Sequence, residues 1–466
     1  MGKENQSHLL KHKMGVTREY FRKPNNIALI ATFKGEINED DLRDVLKKIT
    51  KIHPLTGVRV VIDRDQDAWF TDEGVAPVPL KVIARRSERQ CIDIVEKEHE
   101  IPFDFNKGPL IRFVLLKSED VSDIIIICQH SICDGISLTI LMQDTISLLN
   151  NPHTKIKKID TVFPTTNNFR VPFRVKLELL NHKFIMSIIN RKWNNQPVIF
   201  DDEDYKNLHE AYFQKFRYRI INLNLSEEET TNLIVRCREN QVTVNSAISV
   251  ALLAGRENIR GNSVRDDSTV QIAVNIRDQL KRPAENVFGF LASGIKIEFE
   301  YLPDTTFWDN VRLFHQKVTL ELKDNIALEN LMGYDTNPTL TDAINFAIYG
   351  KCVFNGFNGQ KKLLKFIQSN NKAVEISKEL VTTVPDLMVS NLGQITVPET
   401  QNNLQLDRLY FITSSYPYLD LVAGLITVNG KLTLTMSYME LKEDNSNYAG
   451  IELEKIMHNA MDQLNA

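Results

Sequence analysis

Cysteine is scarce in this 466-residue chain: Cys91, Cys128, Cys133, Cys237 and Cys352 are all it has. The number is odd and no pair has CxxC spacing. Reduced thiols in a cytoplasmic protein are expected, and neither a disulfide framework nor a structural metal site. Charge of one sign is not in excess either. The formal net charge is -4, so no global basic field would hold the protein on nucleic acid. No stretch approaches the roughly 18 consecutive apolar residues of a membrane-spanning helix. The N-terminus, "MGKENQSHLLKHK", lacks the apolar segment of a secretory signal, and Gln6 stands where a myristoylation pattern needs Ser or Thr. What remains is 42% hydrophobic and 25% charged. That is an ordinary globular composition, on a chain too long for one core and suited to two or three domains.

The first third alternates strand and helix signals. "IALIATF" (27–33) is apolar and bounded by "KPNN" and Gly35, which predicts a strand. Asn38 then precedes Glu39, Asp40 and Asp41, with Leu42, Val45, Leu46 and Ile49 at helical spacing, which predicts a capped amphipathic helix. Strands are expected over 57–63, 78–84, 108–116 and 123–130, and a helix over 87–100. The run Ile124 to Ile127 suits the centre of a sheet. A further helix carries Ile136, Ile140, Leu141 and Leu148 as its stripe.

Residues 151–215 interrupt this rhythm. The segment "VPFRVKLELLNHKFIMSIINRKW" (171–193) is apolar and basic, with Arg174, Lys176, Lys183, Arg191 and Lys192. A crossover helix packed between domains is the preferred reading, and a helix lying on an anionic membrane surface is the other. The pattern then restarts. A strand is expected over 217–225, "SEEE" (226–229) is a capping box, and the helix over 242–255 is expected to stop at Gly255. Strands over 268–277 and 293–302, a helix over 307–324, later strands, and a hairpin turning at Asn429-Gly430 follow. A helix over 451–464 closes the chain. Two successive α/β units of similar grammar imply two domains with a cleft between them.

"CQHSICDGISL" (128–138) leaves the apolar strand and enters a helix. His130 stands at the carboxyl end of a central strand, where open α/β sheets hold ligands. Asp134 lies on so apolar a stretch that it needs a cation or several donors. Gly135 allows close approach. A histidine without an activated serine suits a general base acting on a substrate's own hydroxyl or amine. Ser131 and Cys133 are the competing nucleophiles, and a Cys133-His130 mechanism would leave a trapped acyl-cysteine.

"HSICDG" resembles the HxxxDG signature of the chloramphenicol-acetyltransferase-like superfamily, which includes condensation domains of nonribosomal peptide synthesis, polyketide-associated acyltransferases and alcohol acetyltransferases. "ITKIHPLTGVRV" (49–60), "IPFDFNKGPLIRFVLL" (101–116), "VNIRDQL" (274–280) with "NVFGF" (286–290), and "VSNLG" (389–393) are similar to further segments of that superfamily, in the same order. The resemblance implies an α/β fold of two subdomains, each a mixed sheet with flanking helices, meeting at a channel. It implies an N-terminal subdomain over 1–155, a linker over 156–215 and a C-terminal subdomain over 216–466. By the same resemblance His130 is the base, Asp134 pairs with Arg277, Gly135 leaves room beside the histidine, and Asn391 is a polar contact near the channel. Arg277 also reads as an ordinary strand-end arginine and Asn391 as a turn residue, while Tyr416 and Tyr438 read as core or wall.

Gln129 replaces the first histidine of the doubled HHxxxDG form, and the plant-type DFGWG sequence is lacking. The resemblance therefore favours the alcohol acetyltransferase and polyketide-associated branch. It implies a free-standing, monomeric acyltransferase that binds no metal and holds no cofactor tightly. An acyl-CoA or an acylated carrier protein would be the co-substrate and a small molecule the acceptor. A carrier-dependent condensation enzyme and a non-catalytic binding module of the same fold are the alternatives.

Overall fold

The computed structural model describes residues 11–163, 173–260, 268–282, 284–324, 335–353, 357–369, 375, 384–398, 404–417, 419, 421–443, 446 and 448–465. The N-terminal reading of residues 1–10, the first two residues of the 171–193 segment and the side chain of Arg174 lie outside them.

In the first half the strands are β1 (Lys11–Lys13), β2 (Asn26–Lys34), β3 (Arg59–Ile62), β4 (Ala68–Thr71), β5 (Leu80–Ala84), β6 (Ile111–Lys117) and β7 (Val121–Gln129). Its helices are α1 (Glu39–Ile52), α2 (Gln90–His99) and α3 (Gly135–Asn150). Asn38 caps α1, its side chain accepting from the amides of Asp40 and Asp41, and the three first-turn carboxylates face the positive end of the helix dipole. Helices α4 (Phe173–Asn195) and α5 (Asp202–Lys215) follow.

The second half contributes β8 (Phe216–Asn224), α6 (Glu227–Glu239), α7 (Val244–Arg260), β9 (Ser268–Asn275), β10 (Ala292–Phe299), α8 (Phe307–Asp324), α9 (Pro338–Cys352) and α10 (Gln360–Ser369). It ends with β11 (Leu387–Ile395), β12 (Gln405–Ile412), β13 (Leu421–Val428), β14 (Lys431–Leu441) and α11 (Tyr448–Asn465). The capping box at Ser226 forms, with Glu229 reaching back to the cap. Asn429 and Gly430 turn the β13–β14 hairpin with φ of 49° and 72°, the left-handed values such a two-residue turn requires.

Besides a small three-stranded sheet in the order β1-β4-β3, the described residues form a five-stranded sheet in the order β12-β2-β7-β6-β5 and a six-stranded sheet in the order β10-β9-β11-β13-β14-β8. The two larger sheets are mixed: β5 runs parallel to β6, and β11 runs parallel to both β9 and β13. The central β7 is buried from Ser122 to Gln129, as its apolar run requires. Strand β12 comes from the second half of the chain yet pairs antiparallel with β2 at the edge of the first sheet. From there it is held to the hairpin of the second sheet, where Thr433 and Thr435 donate hydroxyl hydrogen bonds of 2.6 Å to the carbonyls of Leu409 and Phe411. The two sheets are thus joined by a shared strand.

Three helices, α5, α9 and α10, occupy stretches whose residue patterning predicts no element. They build a separate apolar cluster with one face of α4, centred on Trp193, Phe200, Phe346 and Phe366. Trp193 is fully buried and donates its indole hydrogen to Thr339 Oγ1 at 2.8 Å. The opposite face of α4 is exposed.

The helix expected to stop at Gly255 continues to Arg260. A glycine after a helical stretch often marks a C-cap, but here it serves packing. A Cβ at Gly255 would lie 2.6 Å from the carbonyl oxygen of Ile456, so α7 and α11 approach backbone to backbone. Gly255→Val is expected to cost about 1–3 kcal/mol by overpacking, read as a lowered thermal midpoint; an unchanged midpoint would contradict the close approach.

Candidate active site

β7 ends at Gln129, and the backbone amide of His130 still donates to Asn25 O at 3.0 Å, continuing the ladder by one residue. The chain then turns, with Ile132 N donating to Gln129 O at 3.1 Å, and Asp134 caps α3 in an extended conformation (φ -121°, ψ 179°). This strand-turn-helix passage fixes the imidazole. His130 Nδ1 lies 2.7 Å from the backbone carbonyl of Cys133. A carbonyl only accepts, so Nδ1 carries the hydrogen, and in the neutral ring Nε2 keeps its lone pair. Burial pushes the pKa of His130 below the usual imidazole value, opposed by the bond to Cys133 and the charge of Asp134. The ring is therefore neutral at neutral pH, with Nε2 as a base. Tyr20 (4.7 Å between ring centroids, tilted) and Phe290 (5.3 Å, edge-on) flank it.

The carboxylate of Asp134 is surrounded by donors. Arg277 gives it two bonds, Nη1 at 2.9 Å and Nη2 at 3.0 Å, and the amides of Ser137 and Leu291 add bonds of 2.7 Å and 2.8 Å. Arg277 Nη2 also reaches Ser137 Oγ at 2.9 Å and Val287 O at 3.1 Å, and Nη1 reaches Asn275 Oδ1 at 3.1 Å. The Ser137 hydroxyl donates to Gly289 O at 2.6 Å and accepts from Gly289 N at 3.0 Å. Both side chains of the pair are almost completely buried. A bidentate guanidinium-carboxylate pair with its remaining lone pairs satisfied is the arrangement in which burial of two charges can be tolerated. Gly289 and Leu291 are both tied to the start of α3, and the residue between them is Phe290. The ion-pair network therefore also sets the wall beside His130.

Gly135 does not leave open space beside the histidine. A Cβ there would meet Leu392 Cδ2 at 2.6 Å and the Phe411 ring at 2.8 Å, so the glycine admits β11 and β12 against the first turn of α3. Asn391 shapes the same contact from the other side. Its side-chain oxygen accepts from Gly393 N at 2.8 Å, Gly393 has φ of 73°, and the pairing with β13 shifts register between Asn391 and Gln394.

Several contributors act in ways that the sequence does not show. Gln129, fully buried, donates to Tyr20 O at 2.7 Å and accepts from Ser131 N at 2.6 Å, so it holds the segment that brings Tyr20 over His130. Phe290 lies in a stretch that the family resemblance covers and Ser137 two residues beyond one, but their contacts depend on the fold. Tyr20 lies outside those stretches. Cys133 is buried, its Sγ directed at Gln129 O at 3.6 Å, and burial raises its pKa well above the usual thiol value. A thiolate nucleophile is disfavoured there. Tyr416 accepts from Asn25 Nδ2 at 2.7 Å, and burial raises it and Tyr438 to about 12, so both phenols are neutral. Two cavities, about 680 Å³ beside α1 and about 350 Å³ between Arg18 and Asp202, do not include His130 among their lining residues. Among the described residues no cluster of His, Cys, Asp and Glu could hold a metal ion, and no helix is long and apolar enough to cross a membrane.

Residues 20–159 match the condensation domain family. Bacitracin synthase 3 of Bacillus licheniformis is 21% identical over 265 residues, which is 53% of this chain and 4% of that protein. The chain thus spans a small fraction of the length of the curated relatives it matches. Among solved structures, a trichothecene 15-O-acetyltransferase from Fusarium sporotrichioides superposes with a TM-score of 0.64 at 12% identity, over 99% of this chain and 97% of that one. Polyketide synthase associated protein 5 from Mycobacterium tuberculosis does so with a TM-score of 0.61 at 13% identity, over 97% and 96%. At such identities the likeness is one of fold, and it extends over both halves of the chain.

Arg277→Ala leaves a buried carboxylate without its cation and is expected to cost about 3–5 kcal/mol of stability, measured by denaturant unfolding. Adding Asp134→Asn to Arg277→Ala should recover part of that loss. Equal stability of wild type and Arg277→Ala would contradict the role of the pair.

Proposed function

We propose that this chain, which has the fold of the chloramphenicol-acetyltransferase-like condensation superfamily, transfers an acyl group from a thioester to the hydroxyl of a small-molecule or natural-product acceptor. The observation that carries this reading is the hydrogen bond from His130 Nδ1 to the Cys133 carbonyl, which leaves Nε2 as a base. Nε2 takes the proton of the acceptor hydroxyl as its oxygen attacks the thioester carbonyl, forming the new C–O bond. The tetrahedral oxyanion then collapses, the C–S bond breaks, and the proton on Nε2 passes to the departing thiolate. The Cys133 carbonyl stabilises the transient imidazolium through Nδ1–H. Asp134 and Arg277 position the histidine's turn and Phe290 and touch no substrate. Acyl-CoA or an acylated carrier protein would serve as donor.

A carrier-dependent condensation enzyme is the second reading, favoured by the match of residues 20–159 to the condensation domain family. It uses the same base on an amine or hydroxyl. Gln129, in place of the first histidine of the doubled motif, spends both ends of its amide on Tyr20 and Ser131, a bracing role that leaves the base untouched.

Purified protein incubated with acyl-CoAs of increasing chain length and pooled alcohols and amines is expected to release free thiol and give an ester mass, while His130→Ala loses about 10²- to 10⁴-fold in turnover. Full activity in His130→Ala would overturn the reading. Amide formation only from an acylated carrier protein would establish the second. Because burial lowers the pKa of His130, the base is protonated only below the ordinary imidazole range. The acid limb of kcat/KM should therefore have its midpoint below about 6.5, and a midpoint above that would contradict a desolvated base.

A further inference from the structure

The side of α4 that faces outward is the most extended exposed apolar feature of the described residues. Leu177, Leu180, Phe184, Ile185 and Ile188 are 50%, 63%, 68%, 53% and 46% exposed. They recur at i, i+3, i+7, i+8 and i+11, which makes one stripe along a helix. The stripe cannot turn inward, because the opposite face is fixed. Met186, Ile189 and Trp193 are buried in the cluster with α9 and α10. Asn190 bonds Asp335 O at 2.7 Å and the amide of Asn337 at 2.9 Å.

Cations border the stripe. At 3.6 residues per turn, Lys176 and Lys183 lie along one edge, Lys192 along the other and Arg191 at the C-terminal end. All four are exposed, and none pairs with a carboxylate among the described residues. The helix has one acidic residue, Glu178, beyond the far edge. The whole chain carries a net charge of -4, so any attraction to anions has to be local to this face.

We propose that this face of α4 docks the protein on an anionic lipid surface, with the apolar stripe in the headgroup boundary and the four cations among lipid phosphates and carboxylates. An outward apolar stripe flanked by long basic side chains is the form of an interfacial helix. A second copy of the chain suits the face less well. An antiparallel two-fold pairing about the middle of the stripe sets each edge against its own copy, so the edge with Lys176 and Lys183 would face only cations.

The test is co-sedimentation of the full chain with phosphatidylcholine vesicles, with and without phosphatidylserine, at low and high salt. Wild type is expected on the phosphatidylserine vesicles and to come off with salt. Lys176→Glu with Lys183→Glu should weaken that partition about tenfold or more. Phe184→Glu with Ile188→Glu should abolish it, and circular dichroism should show the fold intact, since all four positions are exposed. Wild type binding phosphatidylserine vesicles no better than phosphatidylcholine, or no better than the variants, would overturn the proposal. So would a concentration-dependent dimer without vesicle binding that Phe184→Glu with Ile188→Glu dissolves, which would assign the face to a second copy.

Discussion

The ion pair between Asp134 and Arg277 is the constraint on which the rest of this site depends. A carboxylate at the start of a helix that follows a buried central strand has lost its water, and only a cation with further donors makes that position tolerable. Here the donors come from both halves of the chain: the Ser137 amide of α3, and Arg277 with Leu291 N of the second half. Satisfying one buried charge therefore fixes where Arg277 and residues 287–291 lie against α3. The pair also couples folding to the site, because the segment it fastens carries Phe290, whose ring lies edge-on to His130.

A second constraint acts from the other side of α3. Strand β12 belongs by pairing to the first sheet and by its threonine contacts to the second. Its Phe411, with Leu392 of the β11 bulge, fills the space that a side chain at position 135 would need. The first turn of α3 is therefore held between a polar clamp and an apolar one. The histidine one turn earlier inherits its position from both, which is how a flexible-looking turn can present an imidazole in a single orientation.

Elements governed by short-range rules were legible in the sequence: the Asn38 cap, the Ser226 capping box, the Asn429-Gly430 hairpin and the Ile124–Ile127 centre strand each follow from residues a few positions apart. Features decided by distant partners were not. Gly255 reads as a helix stop because its neighbour α11 is about 200 residues away in sequence. Gly135 reads as room beside the histidine because Leu392 and Phe411 are invisible locally. Gln129 reads as a lost histidine although its amide bridges Tyr20 and Ser131. The stretches holding α5, α9 and α10 bury aromatic side chains from several helices in one cluster, so no single helix shows a clean stripe. His130 and Asp134 were legible because a buried polar residue beside an apolar strand demands an explanation whatever its partner.

The chemistry proposed here rests on which nitrogen of His130 is free. Nitrogen-15 NMR of histidine-labelled protein, with His130 assigned by comparison with His130→Ala, reads this directly through the tautomer-dependent ring shifts over a pH titration. The account predicts a neutral ring with the hydrogen on Nδ1, titrating below about 6.5. A hydrogen on Nε2, or a ring that remains charged at neutral pH, would contradict it.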